Sequence, residues 1–261
     1  MDLFNQLKLA TDCQLCGCTV EPSTVEPQNQ AKDNQPSPLL PKSPLICDYC
    51  HQRLPISHNN CFVCGLPLHK ILHDSSKNQQ NKLDTPCGEC LKNSPTFNRT
   101  ISAFHYENPV NRLIAQLKYS SQLHVLPLLC EYLIREIIEQ YQSNPLPSLI
   151  IPTPLHANKL TKRGFNQSYL IAKQLTKTLE IKIASSGIKR IKNTQAQSGL
   201  DSIERKSNVK NAFRINFELP NHVALVDDVV TTGTTISELA KQAKKHGAKK
   251  VDVWCLARAY E

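Results

Sequence analysis

Val223-Ala224-Leu225-Val226-Asp227-Asp228-Val229-Val230-Thr231-Thr232-Gly233-Thr234-Thr235 decides the architecture of this chain. Val223 to Val226 is an apolar, β-favouring run of the length expected for a buried strand. Asp227 and Asp228 are expected to end it at the carboxyl edge of a sheet, where open α/β folds place their ligands. The hydroxyl-rich loop Thr231, Thr232, Gly233, Thr234, Thr235 then opens a segment whose apolar residues Ile236, Leu239, Ala240 and Ala243 recur at helical spacing. Free N–H groups in a first helical turn, with threonine hydroxyls beside them, suit a phosphate dianion. Gly233 lets the backbone approach that anion closely. Paired carboxylates can accept hydrogen bonds from two ribose hydroxyls or help hold Mg²⁺ near the ring. The stretch therefore reads as a receptor for a sugar phosphate, against the blander reading of an ordinary strand-turn-helix. It contains neither the G-x-x-x-x-G-K-[ST] of a P-loop nor the G-x-G-x-x-G of a dinucleotide fold.

A second element lies upstream. Ser148-Leu149-Ile150-Ile151 reads as another short buried strand, closed by Pro152-Thr153-Pro154 and followed by Lys159, Lys162 and Arg163. In Arg163-Gly164-Phe165-Asn166-Gln167-Ser168, the arginine offers a rigid five-donor fork for an anion, and Asn166 or Ser168 can cap the next helix.

The thirteen-residue stretch resembles the 5-phosphoribosyl 1-pyrophosphate (PRPP) binding motif of type I phosphoribosyltransferases. The order of features along the chain resembles the competence protein F family, which includes ComFC and GntX type proteins. That resemblance rests on the amino-terminal cysteine pairs, Pro152-Thr153-Pro154, Arg163-Gly164-Phe165-Asn166-Gln167 and the Asp-Asp-x-x-Thr-Thr-Gly loop. Arg190-Ile191-Lys192-Asn193-Thr194-Gln195, followed by Leu200, Arg205, Asn208 and Ala212-Phe213, also follows the family pattern. The chain departs from it in a long polar insert between the first two cysteine pairs and an expansion from Lys77 to Asp84.

The resemblance implies a type I phosphoribosyltransferase fold, an α/β architecture with a mostly parallel sheet. It implies PRPP with Mg²⁺ over Asp227, Asp228 and Thr231 to Thr235. Arg163 and neighbouring bases, with Lys159, Arg190 and Arg205 as candidates, would hold the pyrophosphate. It further implies a role in DNA uptake, natural transformation or DNA utilisation, beside single-stranded DNA or a competence helicase. No side chain presents itself as a catalytic base, and the acceptor is unassigned. Three readings stand: a phosphoribosyltransferase, a PRPP-regulated adaptor without catalysis, and a zinc-containing interaction protein whose transferase site is vestigial.

The eleven cysteines are too many to be casual. Eight form four C-x-x-C pairs: Cys13/Cys16, Cys47/Cys50, Cys61/Cys64 and Cys87/Cys90. Each pair can present two thiolates from one knuckle, and two knuckles complete a tetrahedral zinc site. The expected grouping is Cys13, Cys16, Cys47 and Cys50 around one Zn²⁺ and Cys61, Cys64, Cys87 and Cys90 around another, with interleaved pairing open. Cys18, Cys130 and Cys255 are expected to stand apart as unpaired thiols.

The boundary between modules is placed near residue 98: a cysteine-rich double zinc module over 1–98, with a polar insert at 20–43, then the phosphoribosyltransferase-like domain over 99–261. Ile101 to Tyr106 is expected as a strand or edge hairpin, and Ile181 to Ala184 as a short edge strand. Val251 to Leu256 closes the sheet. The polar stretch Ser185 to Ser207 lacks sustained periodicity and is expected to cover a ligand as a loop, with Gln195 among its candidate contacts. Lys118 is a further, weaker candidate for the phosphosugar.

The formal net charge of +9 is concentrated from Lys159 to Arg214. Such a face attracts polyanions or a concentrated phosphate ligand, and a solvated basic face without a partner explains it equally well. No apolar run reaches the roughly 18 residues of a membrane span, and Met1-Asp2-Leu3-Phe4 lacks the basic start of a signal peptide. A cytoplasmic protein without membrane insertion is expected.

Overall fold

In the computed structural model, which describes residues 11–20, 43–68, 85–117, 120–193 and 209–260, the apolar run before Asp227 lies at the centre of a five-stranded sheet. The elements in chain order are β1 (Thr11–Asp12), β2 (Thr19–Val20), α1 (Asp48–His51), α2 (Gly88–Lys92), β3 (Arg99–His105), α3 (Val110–Gln116) and α4 (Leu126–Gln140). There follow β4 (Leu149–Pro152), α5 (Ala157–Arg163), α6 (Gln167–Leu179), β5 (Lys182–Ile183), β6 (Ile188–Arg190) and β7 (Phe213–Ile215). The chain then forms β8 (His222–Val230), α7 (Thr234–Lys245) and β9 (Lys250–Arg258).

The main sheet has the order β3-β9-β8-β4-β5, and each of its pairings is parallel. Parallel sheets are covered on both faces, which is why their strands are continuously apolar. Along β8 the alternation is visible. Ala224 and Val226 face a core shared with Leu129, Leu133 and Ile137 of α4 and Ile171 and Leu175 of α6. Val223 and Leu225 face a second core with Ile236, Leu239 and Ala243 of α7.

One strand boundary differs from the sequence expectation. The strand does not end at the acids: β8 runs on to Val230, because β9 is long enough to pair Asp227 with Cys255, Val229 with Ala257 and Val230 with Arg258. On its other side β4 stops at Pro152 opposite Val226. Asp227 and Asp228 are thus held by one neighbour and abandoned by the other, and the step between the strand ends is the mouth of a crevice. Of the two forms expected for the Ile101 segment, it takes that of a strand, parallel and at the sheet edge. Its open side is covered by 55–57, with Ser57 N–H donating to Ala103 O at 2.9 Å and His105 N–H to Pro55 O at 2.8 Å, which protects an edge that would otherwise present free backbone groups.

The cysteine-bearing segments pack directly on the sheet domain. Ile46, Leu54 and Ile56 share a core with Phe104 and Tyr132. His51 Nδ1 lies 2.7 Å from Tyr132 Oη on α4, and Ser43 Oγ donates to Glu131 on the same helix. The antiparallel ribbon β6–β7 stands outside the main sheet, and a bridge between His156 and Arg190 ties it to the loop after β4. Most of the polar insert, the Lys77–Asp84 expansion, Lys118, Gln195 and Arg205 lie outside the described residues. Among the described residues no helix is long and apolar enough to cross a membrane.

Candidate ligand cleft and metal centres

The crevice beyond β4 and β8 is a cleft of about 290 Å³. It lies where α6 carries the chain from β4 to one side and α7 carries it from β8 to the other, the switch point at which α/β sheets bind ligands. Asp227 and Asp228 form its floor, and Thr231, Gly233, Thr234 and Thr235 form one wall. Lys159, Arg163 and Arg190 line it as well. Residues far apart in the chain therefore put two acids, a hydroxyl-rich helix start and three cations around one space.

Gly233 is the N-cap of α7 with φ +74°, a left-handed conformation that residues with a Cβ adopt at a cost. The nearest atoms to a Cβ built there would be on Phe97 at 3.9 Å. The left-handed backbone, with no crowding from protein atoms, thus favours glycine at this position. Thr232 Oγ1 lies 2.8 Å from Thr234 Oγ1; of the five loop residues, Thr232 does not line the cleft.

The basic side is built by the end of α5 and the start of α6. Asn166, not Ser168, is the cap: its Oδ1 accepts from Ser168 N–H at 3.0 Å, and its Nδ2 donates to Thr153 O at 3.0 Å. This frees the Ser168 hydroxyl, which donates to Asp227 Oδ1 at 2.9 Å. Arg163 Nη1 donates to Gln167 Oε1 at 2.6 Å, fixing the fork at the cleft wall. Burial lowers the pKa of Lys159, and the charges of Arg190 and Arg163 add to the effect. Burial also lowers that of Arg190, against the pull of Asp227. A cleft that strains its cations in this way favours an anion among them.

Asp227 opens onto the cleft along part of its surface, but its carboxyl lies deep. Burial and then the charge of Asp228 push it up to about 8, against the Ser168 hydroxyl and the Asp228 N–H, which donates to its Oδ1 at 3.0 Å. Two residues that the sequence reading did not assign also belong here. Ser168 positions Asp227, and Thr153 lines the cleft with a buried hydroxyl that has no partner among the described residues. The Pro-Thr-Pro turn was the visible signal for Thr153; only the fold brings Ser168 to Asp227.

The four thiols of Cys61, Cys64, Cys87 and Cys90 lie within 4.8 Å of one another. Cys64 Sγ and Cys87 Sγ are 3.8 Å apart, matching the edge of about 3.8 Å of a sulfur tetrahedron with bonds of about 2.3 Å to Zn²⁺. Burial opposes charge on Cys61, but the N–H groups of Cys64 and Cys87 outweigh it and bring the thiol down to about 7. The donor set fits a tetrahedral, thiophilic ion.

The first group departs from the expected set. Cys13, Cys16, Cys18 and Cys47 are the thiols within 4.8 Å of one another, and the thiol of Cys50 lies beside them, its pKa raised by burial first and then by Cys16, Cys47 and Cys13. Gly17, at φ +74°, turns the chain back so that Cys13 N–H donates to Cys18 O at 2.7 Å, which brings Cys18 Sγ to 3.2 Å from Cys16 Sγ. Cys18 therefore does not stand apart, and five thiols converge where a tetrahedral ion takes four. Cys16 Sγ and Cys47 Sγ, at 3.7 Å, match a tetrahedral edge. Burial opposes charge on Cys13, while backbone N–H groups of Cys47, Cys16 and Leu15 bring it down to about 6. Cys130 and Cys255 are buried and unpaired as expected, burial pushing Cys255 up to about 12. Metal analysis of purified protein is expected to give about two zinc ions per chain; a fully folded protein free of metal would refute this.

Comparison with known proteins follows the same lines. A DNA utilization protein, YhgH, of Salmonella typhi is 36% identical over 217 residues, covering 82% of this chain and 90% of the relative. Competence protein F of Haemophilus influenzae is 37% identical over 179 residues, covering 66% and 78%. Competence protein ComFC of Streptococcus pneumoniae is 22% identical over 211 residues, covering 76% and 87%. No family model matches. A purine phosphoribosyltransferase structure from Pyrococcus horikoshii superposes over 57% of this chain and 72% of its own at 21% identity, with a TM-score of 0.30 that is too low to carry a structural argument.

Proposed function

From the premise that this chain belongs to the competence protein F and DNA utilization protein family, we propose a phosphoribosyltransferase-like protein that binds PRPP and acts in the uptake or use of DNA. The observation that carries the reading is the convergence of Asp227, Asp228, Thr231, Gly233, Thr234, Thr235, Lys159, Arg163 and Arg190 on one cleft. A 5-phosphate takes the loop and the first N–H groups of α7. The ribose hydroxyls donate to Asp227 and Asp228, and the pyrophosphate meets Lys159, Arg163 and Arg190. Mg²⁺, bound with PRPP, would neutralise the pyrophosphate, and the paired carboxylates are the oxygen donors suited to it.

In a transfer reaction the bond between ribose C1 and the pyrophosphate oxygen breaks as an acceptor bonds to C1, and the pyrophosphate leaves. The protein contributes position and charge neutralisation and needs no covalent intermediate. Zn²⁺ in the cysteine groups would be structural: four thiolates leave no open position for a substrate. The DNA role rests on the relatives' names, with the basic character of the region from Lys159 to Arg214 in its favour.

Titration calorimetry with PRPP and Mg²⁺ tests the reading. Saturable binding is expected, and its absence in metal-loaded protein would remove the ligand. Incubation with a panel of bases and single-stranded DNA, followed by mass spectrometry, then divides the possibilities. A ribosylated acceptor with released pyrophosphate identifies a transferase, whereas binding without release identifies a PRPP-responsive adaptor.

A further inference from the structure

Arg258 ends β9 opposite Val230, at the point where β8 gives way to the threonine loop. The residue is 4% exposed, and no carboxylate among the described residues forms an ion pair with it. Its partners are backbone carbonyls. Nε donates to Cys64 O at 2.7 Å and Nη1 to Val230 O at 2.9 Å, and Nη1 also donates to Thr231 O and Ala259 O. One buried guanidinium thus grips the second cysteine group with one edge and the start of the loop with another.

The geometry has a directional result. A trans peptide points its N–H away from its C=O, so pinning the carbonyls of Val230 and Thr231 on Arg258 turns the N–H groups of Thr231 and Thr232 away from it. The metal side is equally fitted. Gly65 sits at φ +69°, and a Cβ built there would lie 2.9 Å from Thr100 Cγ2 and 3.7 Å from Arg258 Cδ. Thr100 Oγ1 in turn donates to Val63 O at 2.8 Å. Farther along, Thr96 Oγ1 donates to Ser237 O on α7 at 2.6 Å. Four thiolates around a divalent ion leave a net negative charge, and Arg258 is the buried cation beside them.

We propose that Arg258 is a positioning residue that couples the Cys61, Cys64, Cys87, Cys90 metal centre to the phosphosugar loop, so that metal loading sets the grip on the 5-phosphate. This rests on the reading of the cleft as a phosphosugar site. The coupling is reciprocal: a ligand on the loop must also hold the metal more tightly.

The test uses full-length, zinc-loaded protein with three probes: PRPP with Mg²⁺, ribose 5-phosphate, and pyrophosphate with Mg²⁺. Arg258→Met is expected to weaken ribose 5-phosphate by about tenfold or more while leaving pyrophosphate within about twofold, because Lys159 and Arg163 are carried by α5 and Arg190 by β6 rather than by the loop that Arg258 holds. Arg258→Lys, which keeps the charge but not the fork, should fall between. In the wild type, saturating ribose 5-phosphate is expected to raise the equilibrium affinity for one zinc ion, read by competition with a chelator, by about tenfold. This measurement needs no variant and stands if Arg258→Met fails to fold. Unchanged ribose 5-phosphate affinity in Arg258→Met, an equal loss for both probes, or a zinc affinity indifferent to ligand would each overturn the coupling while wild-type binding keeps the cleft. Wild-type protein that binds none of the three probes would overturn the reading of the cleft and the coupling with it.

Discussion

Replacing Asp227 and Asp228 together by asparagine is expected to lower the affinity for Mg²⁺–PRPP at least about a hundredfold. Hydrogen bonds to charged groups contribute about 1.5–3 kcal/mol each, and the pair loses at least two of them together with its negative charge toward Mg²⁺. The fold should survive, since both carboxyls face the cleft rather than the core. The pH dependence carries a sharper signature. In the free protein burial and Asp228 hold Asp227 up to about 8, so near neutral pH it keeps its proton, whereas a ligand that donates ribose hydroxyls favours the carboxylate. Binding must then release a proton.

Affinity should therefore rise with pH by at most about tenfold per unit and level off above about 8. Calorimetry in two buffers of different ionisation enthalpy reads the proton directly, and Asp227→Asn should flatten the profile. The linkage with stability has the opposite sign. A raised carboxyl favours the folded state while protonated and loses that contribution as pH rises through about 8, so Asp227→Asn should be neutral or stabilising in alkali. An affinity that is constant from pH 6 to 9 would mean that Asp227 does not meet the ligand.

Asp252 provides the contrasting case and the largest expected effect on stability. It lies on β9 opposite Ala224, before the level of the cleft, with no exposed surface. Its Oδ2 accepts from Tyr141 Oη at 2.5 Å and lies 2.8 Å from His222 Nε2, 3.7 Å from Arg99 and 3.9 Å from Lys250. The Arg99 guanidinium stacks over the Tyr141 ring at 4.0 Å. Burial would raise this carboxyl, but the hydrogen bonds from His222 and Tyr141 and the charges of Arg99 and Lys250 hold it below its usual range. Its contribution is thus complete above the ordinary carboxylate range and lost as pH falls through the lowered value.

Asp252→Ala leaves a buried guanidinium without its counter-charge, a loss of about 3–5 kcal/mol. Thermal denaturation should shift down by about 10 °C, with little change in ligand affinity at a temperature where the variant is folded. A melting point within about 2 °C of wild type would mean that water or relaxation replaces the acid. Two aspartate clusters in one sheet are thereby separated by consequence: one governs ligand, the other the stability of the strand ends.

Much of this was legible in the residues because it is local. An apolar run without alternation marks a strand covered on both faces, and Val223–Val226 and Val251–Leu256 are such strands. C-x-x-C spacing is a property of one knuckle, so the second group could be assembled from pairs alone. Gly233 was marked by its place between threonines, and its left-handed backbone is what the fold adds. Cys18 escaped because its approach depends on the turn at Gly17, and Ser168 because a residue two positions past a cap reveals nothing about an acid fifty-nine residues away.

The sequence by itself determined the alternation of strands and helices, the loop chemistry at Thr231–Thr235 and the thiol-rich knuckles, since these depend on neighbours within a few residues. Only the tertiary structure decided where β8 is released by β4, which cations meet Asp227, and that Arg258 joins a cysteine group to the loop. Those facts depend on parallel strands laid side by side from distant parts of the chain, and on the depth at which their ends leave a carboxyl or a guanidinium surrounded by protein.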